Sequence, residues 1–379
     1  MKNILITGGA GFIGSNLAIQ LISEGYHITV LDNLSPQIHG KDPEKTSPLY
    51  QSIKNKVNFI HGSVTNINDW KKAINNQDVI IHLAAETGTG QSMYEIKKYV
   101  ETNIGGTALM LELLANEKHS IKQVLVAESR AIYGEGRYWS NKEKKYVYPK
   151  LRRPIDLDNK DFNVKSDSYD ENLTVVSTPE NSTIHPTSIY GITKQVQGQL
   201  VHLVCQSLGI KSVSFRYQNV YGPGQSLSNP YTGILSIFST RIKNHNPINI
   251  FEDGLESRDF VYIDDVVNAT ILGLKKNEAN GLAFNIGTGI PTTVLSVAKT
   301  LIDKYNIEVP IHISGEYRLG DIRHNFADIS LAKKVLGFTP KWDFDKGITK
   351  FVEWVNLQNI QEDLYEKSIH ELKEKGLFK

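Results

Sequence analysis

Short apolar runs alternate with segments of helical periodicity along most of the chain. Several runs have the length and the β-branched content of strands that are covered on both faces. They are residues 4–6, 28–31, 57–60, 79–83, 124–126 and 213–215. The clearest helix spans Ile13 to Glu24, with one apolar stripe and Gly25 at its end. This alternation predicts an α/β fold with a doubly wound parallel sheet.

Two stretches interrupt the alternation. Residues 136–184 form a long polar segment before a predicted helix, basic in its first half and acidic in its second. A segment of this length is typical of a functional lid, a disordered loop or a solvated surface insertion. Residues 358–379 form a charged helical tail, and the sequence assigns no chemistry to it.

Composition and charge restrict the class of partner. The chain has 42 Lys and Arg against 41 Asp and Glu, a net charge of +1, so no global field attracts nucleic acid or an anionic membrane. The single cysteine, Cys205, excludes a disulfide framework and a cysteine-rich metal site. No apolar run approaches the ~20 residues that cross a bilayer, and glycines occur too early for a secretory signal. We expect a cytoplasmic protein without a metal site.

A glycine-rich turn, residues 8–14 (GGAGFIG), follows the first predicted strand and opens the first helix. Gly8 permits a tight turn, Gly11 permits close approach to a pyrophosphate, and Gly14 permits close packing of helix on strand. The free N–H groups of the helix would bind the phosphates. The second strand ends at Asp32, whose carboxylate would accept both adenosine ribose hydroxyls and repel a 2′-phosphate. The sequence therefore predicts a dinucleotide site that prefers NAD to NADP.

Tyr190 and Lys194 are four residues apart and lie on one face of a predicted helix. A phenol with a pKa near 10 is a poor base at neutral pH, and a nearby ammonium lowers that pKa by favouring the phenolate. Such a pair also occurs by chance on many helices. Ser129 makes this pair informative, because it ends the fifth predicted strand at the sheet edge where open α/β sheets bind ligands.

With these residues the chain resembles the extended short-chain dehydrogenase/reductase superfamily, and within it the NAD-dependent nucleotide-sugar epimerases and dehydratases. The resemblance covers Lys2 to about Trp354. It implies that Tyr190 is the catalytic base, that Lys194 tunes Tyr190 and holds the nicotinamide ribose, and that Ser129 assists at the reacting oxygen. The cofactor-binding residues that it implies are Gly8, Gly11, Phe12, Ile13, Gly14, Asp32, Asn33, Ser63, Val64, Leu83, Ala84, Ala85, Asn103, Tyr190 and Lys194.

The resemblance also implies a division of the chain into a Rossmann-type domain and a smaller mixed α/β substrate-binding lobe. The expected segments are the NAD-binding domain at 1–219 with an insertion at about 136–184, the substrate-binding lobe at 220–256 and 286–354, a return to the first domain at 257–285, and a helical tail at 355–379. One residue departs from the family. Ser63 stands where the family usually has an Asp against the adenine, so that contact would be weaker or differently made.

Arg130 and Ala131 narrow the expected reaction. Related 4,6-dehydratases have Asp-Glu at these two positions to move protons at C5 and C6, and related decarboxylases keep the Glu. Arg130 and Ala131 can do neither, which leaves reversible oxidation at one carbinol carbon. The resemblance therefore implies a nucleotide-sugar 4-epimerase that forms a transient 4-keto sugar and returns hydride to the opposite face.

The expected partner is a nucleotide-diphosphate sugar. The substrate-binding residues that the resemblance implies are Thr87, Ser129, Arg130, Asn219, Arg258 and Arg323, and we expect the guanidinium groups of Arg258 and Arg323 to clamp the diphosphate. Residues 84–95 and 134–138 are similar to dTDP-L-rhamnose 4-epimerases, although members of that subgroup often carry cysteines in the insertion and this chain has none there. Both a dTDP-L-rhamnose/dTDP-6-deoxy-L-talose pair and a UDP-hexose pair stay open.

Other interpretations stay open as well. A nucleotide-sugar reductase would consume NADH, an epimerase could act at another carbon, and a non-catalytic NAD-binding protein would typically have lost Tyr190 or Lys194. In this family the Tyr–Lys helix commonly forms a dimer interface. The stripe of Ile189, Ile192, Val196 and Leu200 therefore predicts a homodimer, with a purely intramolecular core as the alternative.

Overall fold

The computed structural model describes residues 2–229, 231 and 233–379. The strands are β1 Asn3–Thr7, β2 His27–Asp32, β3 Asn58–His61, β4 Val79–His82, β5 Gln123–Ser129, β6 Tyr138–Ser140, β7 Lys145–Val147, β8 Thr174–Val175, β9 Lys211–Tyr217, β10 Asn219–Tyr221, β11 Ile248–Ile250, β12 Ser257–Tyr262, β13 Leu282–Ile286, β14 Pro291–Thr293, β15 Ile311–Ile313 and β16 His324–Asn325.

The α-helices are α1 Phe12–Ser23, α2 Pro36–His39, α3 Pro43–Thr46, α4 Pro48–Ile53, α5 Ile67–Ile74, α6 Thr89–Ser92, α7 Ile96–Tyr99, α8 Gly106–Asn116, α9 Pro154–Asp158, α10 Ile189–Ser207, α11 Ile234–Lys243, α12 Ile263–Lys275, α13 Val294–Tyr305, α14 Phe344–Asn356 and α15 Tyr365–Glu374. Within the described ranges, no helix has the length and apolar character that crossing a membrane requires.

A seven-stranded sheet forms the centre of the molecule, in the order β13-β9-β5-β4-β1-β2-β3, with every pair parallel. Side chains alternate between its faces, so Ile4 and Ile6 join the apolar layer that contains α1, and Leu5 joins the layer that contains α10. Burial of both faces explains why these strands are continuous apolar runs. The predicted α/β fold with a doubly wound, Rossmann-type sheet is confirmed.

All the predicted strands form, but the one at residues 57–60 differs from the expectation in its burial. It becomes β3, the last strand of the sheet, with β2 as its neighbour. Asn58 and His61 are exposed, and Phe59 and Ile60 are half-buried. An edge strand lies at the border of the layers that cover the sheet, so its side chains are more exposed than those of an inner strand. The expectation of burial on both faces was wrong for β3.

A second lobe follows the central sheet. It contains the sheet β10-β12-β14, to which β16 is added beside β12, and the separate pair β11-β15. The chain then returns to the first lobe, where α12 packs on α1 and β13 extends the central sheet beside β9. We propose the predicted two-lobe division with one change: the return begins with α12, because β12 pairs with β10 in the second lobe.

The insertion at 136–184 is folded and packs against the second lobe. It forms the antiparallel sheet β7-β6-β8 and helix α9, and it buries Tyr138 and Phe162. Arg152 is 3% exposed and donates two hydrogen bonds, of 2.8 and 2.7 Å, to the carboxylate of Glu252 in the second lobe. The insertion is therefore anchored by a buried ion pair, and it is not a solvated loop.

The C-terminal tail also packs against the second lobe. After α15, Leu377 and Lys379 form backbone hydrogen bonds with Leu319 and Tyr317. Phe378 between them is buried, with its ring centroid 4.8 Å from that of Phe251. These contacts bring the tail beside residues 317–319.

Replacing Arg152 tests the anchoring of the insertion. Arg152→Met leaves a buried carboxylate at Glu252 with less compensation, so we expect the free energy of unfolding to fall by about 3 kcal/mol. The adjacent Arg153 pairs with Asp156 at the surface with 66% of its side chain exposed, and Arg153→Met should change stability little. Urea unfolding of both variants measures the difference, and equal effects would contradict the assigned role of Arg152.

Candidate functional site

A groove runs along the carboxyl ends of β1, β2, β4 and β5, where the strand order reverses direction. Most of the predicted cofactor-binding residues line it, namely Gly8, Gly11, Phe12, Ile13, Gly14, Asp32, Asn33, Ser63, Val64, Leu83, Ala84, Ala85, Tyr190 and Lys194. Thr87 and Ser129, two of the predicted substrate-binding residues, line the same groove. The structure therefore brings these residues together on one surface.

The glycine-rich turn has the geometry of a phosphate cradle. Gly8 has a φ of +66°, and a Cβ on it would lie 2.8 Å from the Cα of Ala84. A Cβ on Gly14 would overlap the carbonyl oxygen of Gly8, so a side chain there would push α1 away from the turn. Helix α1 begins after Gly11 with no side-chain cap and no acidic residue in its first turn. Its first N–H groups are therefore available to an anion, which fits the pyrophosphate of a dinucleotide.

Asp32 joins the end of β2 to the glycine-rich turn. Its carboxylate accepts hydrogen bonds from the backbone N–H groups of Ala10 (3.0 Å) and Leu34 (2.8 Å). Asp32 also lines the groove, and a carboxylate with two backbone partners keeps acceptor capacity for ribose hydroxyls. The hydroxyl of Ser63 is paired with that of Thr65 at 2.8 Å, and a weaker or differently made contact with the adenine stays a prediction.

The proposed catalytic residues converge from β5 and α10. Ser129 is the last residue of β5, and Tyr190 and Lys194 lie in the first two turns of α10. Ser188 caps this helix, because its hydroxyl accepts a hydrogen bond from the N–H of Gly191 at 3.1 Å. The hydroxyl, the phenol and the ammonium all line the groove.

Burial controls the protonation of this pair. Burial raises the pKa of Tyr190, while a hydrogen bond from Ser129 and the positive charge of Arg130 oppose that rise. Burial lowers the pKa of Lys194 to about 7, against the opposing effect of the Glu128 carboxylate. Lys194 Nζ donates to the carbonyl oxygen of Ala127 at 2.9 Å. The effects that oppose burial at Tyr190 come from Ser129 and Arg130, and the role of Lys194 in favouring the phenolate stays a prediction.

Asn103 lies behind the groove and does not line it. Its side-chain NH₂ donates to the hydroxyl of Thr193 (2.9 Å) and to the carbonyl of Glu86 (3.1 Å), and its oxygen accepts from the N–H of Glu86 (2.8 Å). Asn103 thus ties the loop after β4 to α10, next to Lys194. It can position the site, but it is not placed to contact a cofactor directly.

A second pocket has Arg130 and Ala131, which follow Ser129 in the chain, in its lining. Its lining includes Met93, Arg130, Ala131, Ser188, Arg318, Asp321, Leu372 and Leu377. Asp321 pairs with Arg258 at 3.1 Å and Arg318 at 2.9 Å. Burial alone would raise the pKa of Asp321, but these guanidinium groups and Arg130 hold it below its usual value. Arg130 and Arg318 line the pocket with this one carboxylate, which makes the pocket suitable for a diphosphate.

The predicted clamp by Arg258 and Arg323 does not form, because neither side chain lines the pocket. Arg258 donates to the carbonyl groups of Ser257, Ile322 and Arg323. Arg323 donates two hydrogen bonds, of 2.6 and 2.7 Å, to Asp253. Buried guanidinium groups require such partners. The guanidinium groups that do reach the pocket belong to residues 130 and 318.

Asn219 also lies outside both linings and acts through Arg130. Its side-chain oxygen accepts a hydrogen bond from Arg130 Nε at 2.7 Å. Sequence reasoning missed several lining residues, namely Gln218, Gln225, Ser226 and Asn229 in the groove and Arg318, Asp321, Leu372 and Leu377 in the second pocket. Arg318 had a local signal in the sequence, because the glycine at position 320 favours a turn. The structure has a φ of +78° there. The two leucines had none, because only tertiary packing brings the tail there.

Comparisons with known proteins agree with this geometry. A family model described as "NAD dependent epimerase/dehydratase family" matches residues 4–154 and 166–287. A dTDP-L-rhamnose 4-epimerase from Burkholderia thailandensis is 34% identical over 357 residues, which cover 93% of this chain and 95% of that protein. A putative UDP-glucose 4-epimerase from Methanocaldococcus jannaschii is 32% identical over 364 residues, which cover 94% of this chain and 99% of that protein.

Solved structures resemble the fold over both lobes. The UDP-glucose 4-epimerase of Thermotoga maritima, solved with UDP-glucose, has a TM-score of 0.73 and 30% identity, and the match covers 93% of this chain and 98% of that one. The UDP-glucuronic acid 4-epimerase of Bacillus cereus, solved with UDP-glucuronic acid and NAD, has a TM-score of 0.75 and 25% identity, with 93% and 99% covered.

Replacing Gly14 tests the cradle. Gly14→Ala adds a Cβ that overlaps the carbonyl oxygen of Gly8, so we expect the dissociation constant for NAD to rise by about tenfold or more. The matched control is Gly105→Ala, whose Cβ meets no atom closer than 3.8 Å among those described. Fluorescence titration with NAD measures both, and unchanged affinity in Gly14→Ala would contradict the cradle.

Proposed function

The chain belongs to the NAD dependent epimerase/dehydratase family, and we propose that it interconverts nucleotide sugars that differ in configuration at C4. The predicted family, enzyme class and NAD cofactor are confirmed by the family match. One observation carries the proposal. Ser129, Tyr190 and Lys194 line one groove with the phosphate cradle, and Ala131 stands beside them where a dehydratase has a carboxylate.

The proposed chemistry needs two proton transfers at one oxygen. NAD held in the groove would supply reversible hydride chemistry at C4 of the sugar. Tyr190, as phenolate, removes the proton of the C4 hydroxyl as the C4–H bond breaks, and Ser129 donates a hydrogen bond to the same oxygen. Lys194 supplies positive charge close to the base. After the keto sugar has turned, Tyr190 returns the proton to the C4 oxygen.

Two carboxylates near the catalytic residues, those of Glu128 and Asp321, are poorly suited to dehydration. Elimination across C5 and C6 needs a general acid or base besides Tyr190. Glu128 accepts a hydrogen bond from Arg216 Nε at 3.0 Å, and Asp321 is held ionised by its arginine partners. Ala131 offers only a methyl group. These features favour oxidation and reduction at a single carbon.

The second pocket supports a 6-deoxyhexose as the sugar. It combines arginines 130 and 318 with the apolar side chains of Met93, Leu372 and Leu377. The arginines suit a diphosphate, and the apolar side chains suit a methyl group better than a hydroxymethyl group or a carboxylate. The relative named as a dTDP-L-rhamnose 4-epimerase points the same way, so we propose the dTDP-L-rhamnose/dTDP-6-deoxy-L-talose pair. A UDP-hexose is the second candidate, from the relatives named as UDP-glucose 4-epimerases.

We also propose a homodimer through α10. Ile192 and Leu203 on this helix are 42% and 68% exposed, and Ile96 and Val100 beside its start are 48% and 39% exposed. Apolar side chains grouped in this way mark interaction surfaces more often than isolated ones do. The cytoplasmic location expected from the sequence stays a prediction.

A panel of nucleotide sugars followed by NMR tests the function. We expect a dTDP-6-deoxyhexose to be converted to its C4 epimer without net formation or loss of NADH. Tyr190→Phe should lower turnover by about 10²–10⁴-fold because the base is lost, and should keep bound NAD. Net consumption of NADH would indicate a reductase instead, and full turnover by Tyr190→Phe would remove the catalytic assignment.

The pH dependence tests the role of Arg130. Its charge opposes the burial that raises the pKa of Tyr190, so Arg130→Met should raise that pKa further. The phenolate is the active base, and the rising limb of kcat/KM should therefore move to higher pH. Arg130→Lys keeps the charge and is the matched control, with a smaller displacement expected. A pH profile for Arg130→Met that coincides with that of Arg130→Lys would contradict the electrostatic role.

A further inference from the structure

Gln218 is a buried amide on the wall of the cofactor groove without a partner. Its side chain is 5% exposed, and neither its oxygen nor its nitrogen has a hydrogen-bond partner among the residues that the structure describes. Buried amides in folded proteins almost always have partners, because desolvation without a hydrogen bond is costly. A side chain of this kind that lines a ligand groove indicates that the ligand supplies the missing partner.

The backbone fixes the direction of this side chain. The N–H of Gln218 donates to the carbonyl oxygen of Ile286 at 2.9 Å, which holds the residue against the end of β13. Side chains alternate along an extended chain. Gln218 and Val220 line the groove, while Asn219 between them faces the other way and accepts the hydrogen bond from Arg130.

The Asp259 carboxylate, which crowds the same glycine as Gln218, already has hydrogen-bond partners. A Cβ on Gly287 would lie 2.7 Å from Gln218 Cγ and would overlap the Asp259 carboxylate, so both side chains crowd this glycine. Asp259 accepts hydrogen bonds from the N–H and the hydroxyl of Thr288 (2.8 and 2.7 Å) and from the N–H of Gly289 (2.9 Å). Asp259 is therefore already paired and is not a partner of the Gln218 amide, which belongs to a residue that lines the groove.

Sheet order places Gln218 at the nicotinamide end of the groove. It follows Tyr217, which is paired with Ser129 in the β5–β9 register. Asp32 ends β2, four strands away from β9, a separation of about 19 Å at the usual strand spacing. An NAD molecule with its adenosine at Asp32 and its reactive ring at Ser129 thus ends beside Gln218.

The chemistry of the two groups is complementary. A glutamine side chain carries one carbonyl acceptor and an NH₂ with two donors. The nicotinamide ring carries a carboxamide with the same set. Two such groups can exchange a pair of hydrogen bonds, which would satisfy both polar atoms of Gln218 at once.

We propose that Gln218 is a cofactor-binding residue whose side-chain amide pairs with the carboxamide of the nicotinamide ring. The inference rests on the proposed placement of NAD in this groove. Such a pair fixes the rotation of the ring relative to Ser129 and Tyr190. An epimerase needs that constraint, because the same face of the ring must serve both halves of the reaction.

The test compares NAD with 3-acetylpyridine adenine dinucleotide, in which a methyl ketone replaces the carboxamide. Gln218→Met has nearly the same length and cannot form the pair. We expect less NAD in the purified variant and a dissociation constant for NAD about tenfold higher or more. The preference of the wild-type protein for NAD over the analogue should shrink at least about fivefold, because the analogue lacks the amide N–H groups.

Controls separate this role from a structural one. Gln77 is also buried, with a side-chain oxygen that has no partner among the described residues. It precedes β4 and so lies at the amino ends of the strands, opposite the groove at their carboxyl ends. Gln77→Met should therefore leave NAD affinity unchanged. NAD-free Gln218→Met should be no less stable to heat than the NAD-free wild-type protein, since the lost amide has no hydrogen-bond partner within residues 2–229, 231 and 233–379. Gln218→Glu, which keeps the shape and can accept but not donate, should also lose part of the preference for NAD.

Three results would overturn the inference. Gln218→Met could bind NAD as tightly as the wild-type protein, or it could lose equal affinity for NAD and for the analogue, which would reduce the residue to a packing role. In either case the wild-type protein still binds NAD and the proposed function stands. A wild-type protein that binds no NAD would instead overturn the proposed function, and this inference with it.

Discussion

Close packing of α10 on β5 is the constraint on which the candidate site depends. Two glycines of the helix allow it: a Cβ on Gly191 would lie 2.6 Å from the carbonyl oxygen of Ala131, and one on Gly198 would overlap the Glu128 carboxylate. A side chain at position 191 would collide with the backbone that follows β5, and one at position 198 would displace the buried Glu128 side chain. The contact brings the phenol and the ammonium of the helix over the carboxyl end of the strand, where Ser129 lies. Burial then sets both pKa values, so the chemistry of the pair follows from how tightly these two elements pack.

The central sheet and the groove could be predicted because their signals are local. Each inner strand is a compact apolar run, and the glycine-rich turn adjoins the first of them. Parallel strands end at one edge of a sheet, so Asp32 at the end of β2, Leu83 after β4 and Ser129 at the end of β5 had to meet at the same groove. The sequence was less informative where position in the sheet decides burial, as at β3, whose apolar residues look like those of an inner strand.

The second pocket could be predicted only in part, because residues far away in the sequence decide which arginine side chains line it. Arg323 pairs with Asp253, about 70 positions earlier in the chain, whereas Arg318 lines the pocket. No local pattern separates the two. Leu372 and Leu377 line the pocket because the tail pairs with residues 317–319. The insertion is similar: its charges looked like a solvated surface, but one of its arginines forms a buried ion pair.

The hydrogen at C4 reports most directly on what the converging groups do. If Tyr190 and Ser129 promote oxidation at C4 and NAD holds the hydride until the sugar has turned, the hydrogen that leaves C4 is the one that returns. A dTDP-6-deoxyhexose labelled with deuterium at C4, converted in ordinary water and followed by NMR, measures this. The expected product is the C4 epimer with the deuterium still on C4. Loss of deuterium to the solvent would indicate enolisation and would contradict the proposed chemistry.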